Sequence, residues 1–173
     1  MIELFHFCPK CGHEGTVKTT DDTAYKCSDC GWQFWNNPKA AVGLVFVQDS
    51  KMLVSKRAIE PKKGFYDLPG GFVDFYENAY EAAIREAKEE TTVDVKRDDL
   101  ELIATYNNRY LEEVTTADMI FIVHRWSGEF VPLDDSEVLE WKDFSFVNDE
   151  RFSPPYPGLD KMLAKRFGQT SQE

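Results

Sequence analysis

The stretch Gly70 to Val93, GGFVDFYENAYEAAIREAKEETTV, places Glu86, Glu89 and Glu90 within a few residues of one another. From about Asn78 to Thr91 it reads as one helix. At ~100° per residue the three carboxylates share an arc of roughly 100°, and Tyr80, Ala83, Ile84 and Ala87 fall on another side as a core face. Ala79 and Ala82 lie inside the acidic arc one to two turns earlier, where small side chains leave room, and Glu81 and Lys88 occupy the remaining, solvated face. Carboxylates so close repel unless a cation sits among them. An acidic stripe alone is usually just a solvated face, so its surroundings decide.

Outward from the helix, AAVGLVFV (Ala40 to Val47) and KMLVSKR (Lys51 to Arg57) are apolar, β-rich runs around a polar QDS, which predicts a hairpin. A Gly/Pro loop around YDLPGG leads into the helix. Strands are expected at Leu100 to Tyr106, Met119 to Trp126 and Val138 to Phe144. A last helix, GLDKMLAKRF, follows the Pro-rich SPPYPG and stops at Gly168. This order gives a mixed α/β fold without regular βαβ alternation. The tail QTSQE, residues 169–173, reads as disordered.

Upstream, the cysteines come as CPKC (Cys8, Cys11) and CSDC (Cys27, Cys30). Two C-x-x-C turns on facing hairpins can close a tetrahedral Zn²⁺ site with no open position for chemistry. A pair of disulfides would require an oxidising compartment, which nothing else suggests. His13 is read as an exposed loop histidine, because four thiolates already satisfy zinc. The aromatics of GWQFW (Gly31 to Trp35) are expected to pack this ribbon against the following domain, with the boundary at the Asn36 to Pro38 turn. That divides the chain into a zinc ribbon, residues 1–37, and a larger second domain, residues 38–168.

The net charge of −11 over 173 residues argues against a nucleic-acid partner gripped by phosphate contacts and suits a cation site. No apolar run approaches the ~20 residues that span a bilayer. The start MIELFHFCPKC meets Glu3 and Cys8 before any signal-peptide core, so the expectation is a cytoplasmic protein with no membrane partner.

The spacing Gly71, Glu77, Arg85-Glu86, Glu89-Glu90 resembles the Nudix box. The resemblance covers about Pro38 to Phe167 and implies an α/β/α sandwich with a mixed sheet, carrying its site on a loop-helix-loop. It implies hydrolysis of a nucleoside diphosphate linked to another moiety, with Mg²⁺ or Mn²⁺. Glu86, Glu89 and Glu90 are then metal ligands, joined by the Gly70 carbonyl, while Glu77 and Arg85 brace the catalytic site. The general base is Glu89 or a later acid such as Glu137 in DDSEVLEW, which is similar to the family's downstream metal-binding stretch; Glu112, Glu113 and Glu140 compete with Glu137. Arg85 is also an i,i+4 partner of Glu89. Thr92 stands where the family usually has Gly, and a β-branched residue resists the left-handed conformation of a helix cap.

A ribbon joined to such a domain looks like the NADH and FAD pyrophosphatase branches. The S-Q-P-W-P-F-P-type stretch of the NADH branch is missing, whereas NPKAAVGLVF and SKRAIEPKKGFYDLPGGFVDFYE are similar to the FAD-type arrangement. Tyr110 falls where enzymes acting on diadenosine polyphosphates often have a tyrosine, though a strand tyrosine more often packs. Tyr66, Phe72, Phe75 and Tyr106 are candidates for stacking on a base. The other readings are a nucleotide-sensing domain without turnover, or a pyrophosphohydrolase of nucleoside triphosphates or capped RNA. Nudix proteins with such appendages often pair, which gives a homodimer as the expected assembly.

Overall fold

Asp49 and Ser50, with φ of 49° and 57°, form the two-residue turn that joins the long strands β4 (Lys39–Gln48) and β5 (Lys51–Arg57). Two consecutive left-handed residues match the right-handed twist of the strands they connect, so the predicted hairpin forms. The computed structural model describes residues 5–14, 16–18, 24–112, 114–132 and 136–168. Glu113 and the tail 169–173 fall outside those residues.

Two sheets share no strand. The first is β1 (Thr16–Lys18), β2 (Ala24–Cys27) and β3 (Gln33–Trp35), all antiparallel. Its aromatics close on each other rather than reaching forward as expected. Phe5 meets Tyr25, Trp32 and Phe34 edge-on at 5.4, 5.3 and 5.1 Å, and Trp35 is left 58% exposed. Among the described residues these rings pack on one another and supply the small sheet with a core.

The second sheet continues with β6 (Tyr66–Asp67), β7 (Gly70–Phe72), β8 (Leu100–Arg109), β9 (Thr115–Val123) and β10 (Ser136–Asp143). Its order is β10-β5-β4-β9-β8, with β6 on β5 and β7 on β4. The pair β4/β9 is parallel and the rest are antiparallel, so the sheet is mixed. Alternation along β4 and β9 sends Val45, Ile120 and Ile122 to one face, where Leu159 and Leu163 of α2 (Leu159–Phe167) cover them. Leu44, Phe46, Phe121 and Val123 face the other way, against Ala82, Ala83 and Ala87 of α1 (Ala79–Thr91). The result is the expected α/β/α sandwich. The Gly/Pro loop proves more ordered than its composition suggests, since β6 pairs with β5 and β7 with β4, which anchors the start of α1 to the sheet.

Asn78 caps α1 by accepting from the N–H groups of Tyr80 and Glu81, and the Glu81 carboxylate accepts in return from the Asn78 N–H at 2.8 Å. At the other end Thr92 does take the left-handed conformation, φ 67°, with its N–H on the Lys88 carbonyl and its hydroxyl donating to the Glu129 carbonyl. A side-chain hydrogen bond thus offsets the steric cost that glycine would avoid.

Candidate functional site

The first cluster is built on two equivalent knuckles. In each, the first cysteine's N–H donates to the residue five further on (Cys8 to His13, Cys27 to Trp32), and its carbonyl accepts from a glycine in the left-handed region, Gly12 at φ 74° or Gly31 at φ 70°. The C-x-x-C-G pattern is thus a turn chemistry as well as a donor set. The sulfur atoms of Cys8, Cys11, Cys27 and Cys30 all lie within 4.8 Å of one another, with Cys8 to Cys30 and Cys11 to Cys27 both at 3.7 Å. A tetrahedron with Zn–S bonds of ~2.3 Å has edges of ~3.8 Å. The four thiols therefore fit zinc, and none is in a disulfide. His13 is exposed, as expected, and His6 pairs with Glu14 at 3.3 Å.

The second cluster lies at one end of a cleft of about 630 Å³ between β7, α1 and the sheet, within the size range of small-ligand sites. Gly70, Arg85, Glu86, Glu89 and Glu90 line it. Arg85 is the hub. Its Nε and Nη2 reach both oxygens of Glu77, at 3.1 and 2.5 Å, and its Nη1 donates to Glu86 at 2.7 Å and Glu89 at 2.8 Å. A further Nη2 bond goes to the Phe72 carbonyl at 2.9 Å. The i,i+4 pair with Glu89 is therefore only one part of its role. Glu77 accepts in addition from the Asp74 N–H at 2.8 Å and stands behind Arg85, outside the cleft lining. Glu90 turns away from this hub and accepts from the Gly70 N–H at 3.1 Å.

The acidic arc is solvated at Glu89 but not at Glu86. Glu86 is only 8% exposed, and Ala82 is fully buried in the core instead of leaving an open space. Burial pushes the Glu86 carboxyl above its usual range despite the Arg85 guanidinium, with Glu89 and Glu77 adding to the rise. The paired guanidinium holds Glu77 below that range. Two glycines are needed at the floor. A Cβ on Gly71 would overlap Glu86 Oε1 and stand 2.6 Å from its Cδ, and one on Gly70, at φ 152°, would overlap the Val42 carbonyl oxygen.

Residues absent from the sequence-based expectations form the far side. Asp67, Asp118, Tyr156, Thr116 and Arg57 line it. Asp118, 3% exposed, accepts from Asn108 Nδ2 at 2.7 Å. Burial raises the Asp67 carboxyl well above its ordinary range; the Leu68 N–H opposes this, and the charges of Glu90 and Asp118 add to it. The readable signal was an acid at a core register of an otherwise apolar strand, TTADMIFIV. Of the later acids, Glu140 is bound to Lys142 and to the Tyr66 hydroxyl, and neither it nor Glu112 lines the cleft. Glu137 falls at the irregularity between Ser136 and Val138 in β10, and its side chain lies outside the described residues.

The aromatic candidates separate cleanly. Phe72 and Tyr110 line the cleft, edge to face at 5.4 Å. Tyr66 is buried on Glu140, and Tyr106 packs on Tyr156 at 5.2 Å outside the lining. Phe75 and Tyr76 are 90% and 95% exposed.

With this geometry in place, the sequence matches the NUDIX domain family over residues 37–163. The chain belongs to the Nudix family. Among its relatives is the NAD-capped RNA hydrolase NudC of Haemophilus influenzae, 31% identical over 94% of this chain; the chain spans 60% of that protein's length. The ADP-ribose pyrophosphatase of Methanocaldococcus jannaschii is 32% identical, covering 66% of this chain and 67% of that protein. A crystal structure of a NUDIX hydrolase from Nitrosomonas europaea superposes with a TM-score of 0.70 at 28% identity, over 94% of this chain and 92% of the other. No helix among the described residues of this Nudix chain is long and apolar enough to cross a membrane.

Proposed function

We propose that this Nudix chain hydrolyses the pyrophosphate bond of a nucleoside diphosphate linked to a second moiety, a class that includes ADP-ribose, FAD and NADH. One observation carries the reading: Glu86, Glu89 and Glu90 meet Gly70 at one end of a cleft large enough for a nucleotide. Carboxylate and carbonyl oxygens are the donors that Mg²⁺ and Mn²⁺ prefer, and burial leaves the Glu86 charge poorly solvated. Glu86, Glu89, Glu90 and the Gly70 carbonyl would hold the ion. A divalent cation there supplies neutralisation of the diphosphate charge and acidifies an attacking water.

The chain's own residues do the rest. Arg85, fixed by Glu77 from behind, spaces Glu86 and Glu89 by donating to both. Glu89, whose side chain is 47% exposed, is the carboxylate with access to a water in the cleft, and we assign it the base role ahead of Glu137. Phe72 and Tyr110 flank a nucleobase or a second ring at the mouth. Residues 38–168 carry this chemistry. Residues 1–37 hold structural Zn²⁺ on Cys8, Cys11, Cys27 and Cys30, and the assembly is a homodimer.

The relatives named for NAD-capped RNA favour a second substrate of the same bond type, a dinucleotide cap on RNA. The test is product release with Mg²⁺ across ADP-ribose, NADH, FAD, diadenosine polyphosphates, nucleoside triphosphates and NAD-capped oligonucleotides. Cleavage between the two phosphates of at least one linked diphosphate is expected. Tight binding with no cleavage of any would replace this reading with a nucleotide sensor.

A further inference from the structure

Beside the acidic cleft lies a small basic groove that shares Arg57, Asp67, Tyr110 and Pro154 with it and adds Lys62, Arg109 and Ser153. Several other cations of the seven-stranded body are taken up by acids: Lys88 by Asp94, Arg125 by Asp99, Arg151 by Asp149, Arg166 by Glu101. Arg57, Lys62 and Arg109 differ. Their polar contacts among the described residues are neutral. Arg57 donates to the Pro61 carbonyl at 2.9 Å and the Tyr110 hydroxyl at 3.5 Å, Lys62 to Ser153 Oγ at 2.9 Å, and Arg109 to the Glu112 carbonyl at 2.8 Å. Carbonyls and hydroxyls aim these side chains, and Asp67, which faces Arg57, is the one carboxylate among the described lining residues. Lys62 sits at φ 66°, a conformation that an L-residue adopts at a cost. In a chain with 31 acids and 20 bases, three cations lining one groove on neutral hydrogen-bond partners offer an anion a place to bind.

From this we infer that the groove binds a third phosphate of the substrate, outside the diphosphate that is cleaved. The inference rests on the proposed pyrophosphate cleavage and narrows its substrate class. The groove encloses only about 10 Å³, so it cannot take a base; a tetrahedral anion resting on three cationic heads needs no enclosure. Two sources share the chemistry: a phosphomonoester on the ribose of a small nucleotide, and the first phosphodiester of an RNA chain whose cap occupies the cleft. Either makes three-phosphate substrates better than two-phosphate ones, with a steeper salt dependence.

The probes are ADP-ribose, ADP-ribose 2′-phosphate and an NAD-capped oligonucleotide. Equilibrium binding at two salt concentrations and kcat/KM with Mg²⁺ are measured for the wild-type chain, for the double variant Lys62→Ala/Arg109→Ala and for Lys62→Arg. At least one three-phosphate probe is expected to bind about tenfold more tightly than ADP-ribose, the order of one or two charge-assisted contacts at an exposed site. The double variant should abolish that advantage while leaving ADP-ribose unchanged, and Lys62→Arg should keep it. The probe that shows the advantage identifies the source. Equal affinity for all probes, or an advantage that survives the double variant, overturns the inference. If the preference appears but nothing is cleaved, the proposed reaction fails and the phosphate groove stands; cleavage of ADP-ribose without any preference sinks the groove alone.

Discussion

Replacing Gly71 by Ala adds one carbon where the structure has room for none. The new Cβ would stand 2.6 Å from Glu86 Cδ and 2.8 Å from Oε2. Since carbon atoms pack at about 3.5–4.0 Å, the carboxyl group has to retreat by about 1 Å. Glu86 is the tip of a flexible side chain, so the fold can absorb this by a rotamer change of about 1 kcal/mol. The Arg85 bond at 2.7 Å goes with it. A ligand displaced by ~1 Å in a reacting site lowers turnover by about 10²-fold. Gly70→Ala provides the contrast, because its Cβ would strike the Val42 backbone at a φ of 152°, which is a stability defect first. Urea unfolding and kcat/KM on the best cleaved substrate are measured side by side. Gly71→Ala should lose activity at near-wild-type stability, and Gly70→Ala should lose both. Wild-type turnover in Gly71→Ala would refute the placement of Glu86 at the reacting centre.

Other outcomes follow from the same structure. Asp67 has a raised folded-state pKa, so its contribution to stability is present below the ordinary carboxylate range and is lost as pH rises through the folded value. Asp67→Asn keeps an acceptor for the Leu68 N–H, and its urea midpoint should fall less between pH 4 and ~8 than the wild type's; equal slopes would contradict the upward shift of Asp67. Thr92→Ala loses the hydroxyl bond to Glu129 and keeps the left-handed strain, costing about 1 kcal/mol, while Thr92→Gly loses the bond but relieves the strain and should come out near neutral. Emission spectroscopy should find one zinc per wild-type chain and none in Cys27→Ser, with a lower thermal midpoint. Retained zinc in the variant would count against the four-thiolate site.

The helix was readable because two local signals coincide in it, the apolar face of Ala83 and Ala87 and box residues in fixed register, and the structure adds the Asn78/Glu81 capping box. The depth of Glu86 was not, because a helical wheel assigns an angle without saying what lies opposite, and here β7 covers that side. Arg85 was expected to brace the site with Glu77 as well as to pair with Glu89; the sequence could not show that the loop before Asn78 folds Glu77 back so that both its oxygens meet the guanidinium. The strands β6 and β7 escaped notice because two- or three-residue pairings are decided by tertiary contact, not by propensity. Asp67 and Asp118 lie 51 positions apart and meet only through the β5/β6 and β4/β9 pairings. In GWQFW the aromatic content was legible while its destination was not, since Phe5 competes for the same rings.

The most direct measurement is the turnover of Glu90→Gln at saturating Mg²⁺. Glutamine retains an oxygen that can accept from the Gly70 N–H, so the fold persists and the missing charge is what is tested. Hydrolysis should fall by roughly 10²-fold or more with the thermal midpoint unchanged. Wild-type rates with the same magnesium requirement would mean that the acids of α1 are not what holds the ion against the diphosphate.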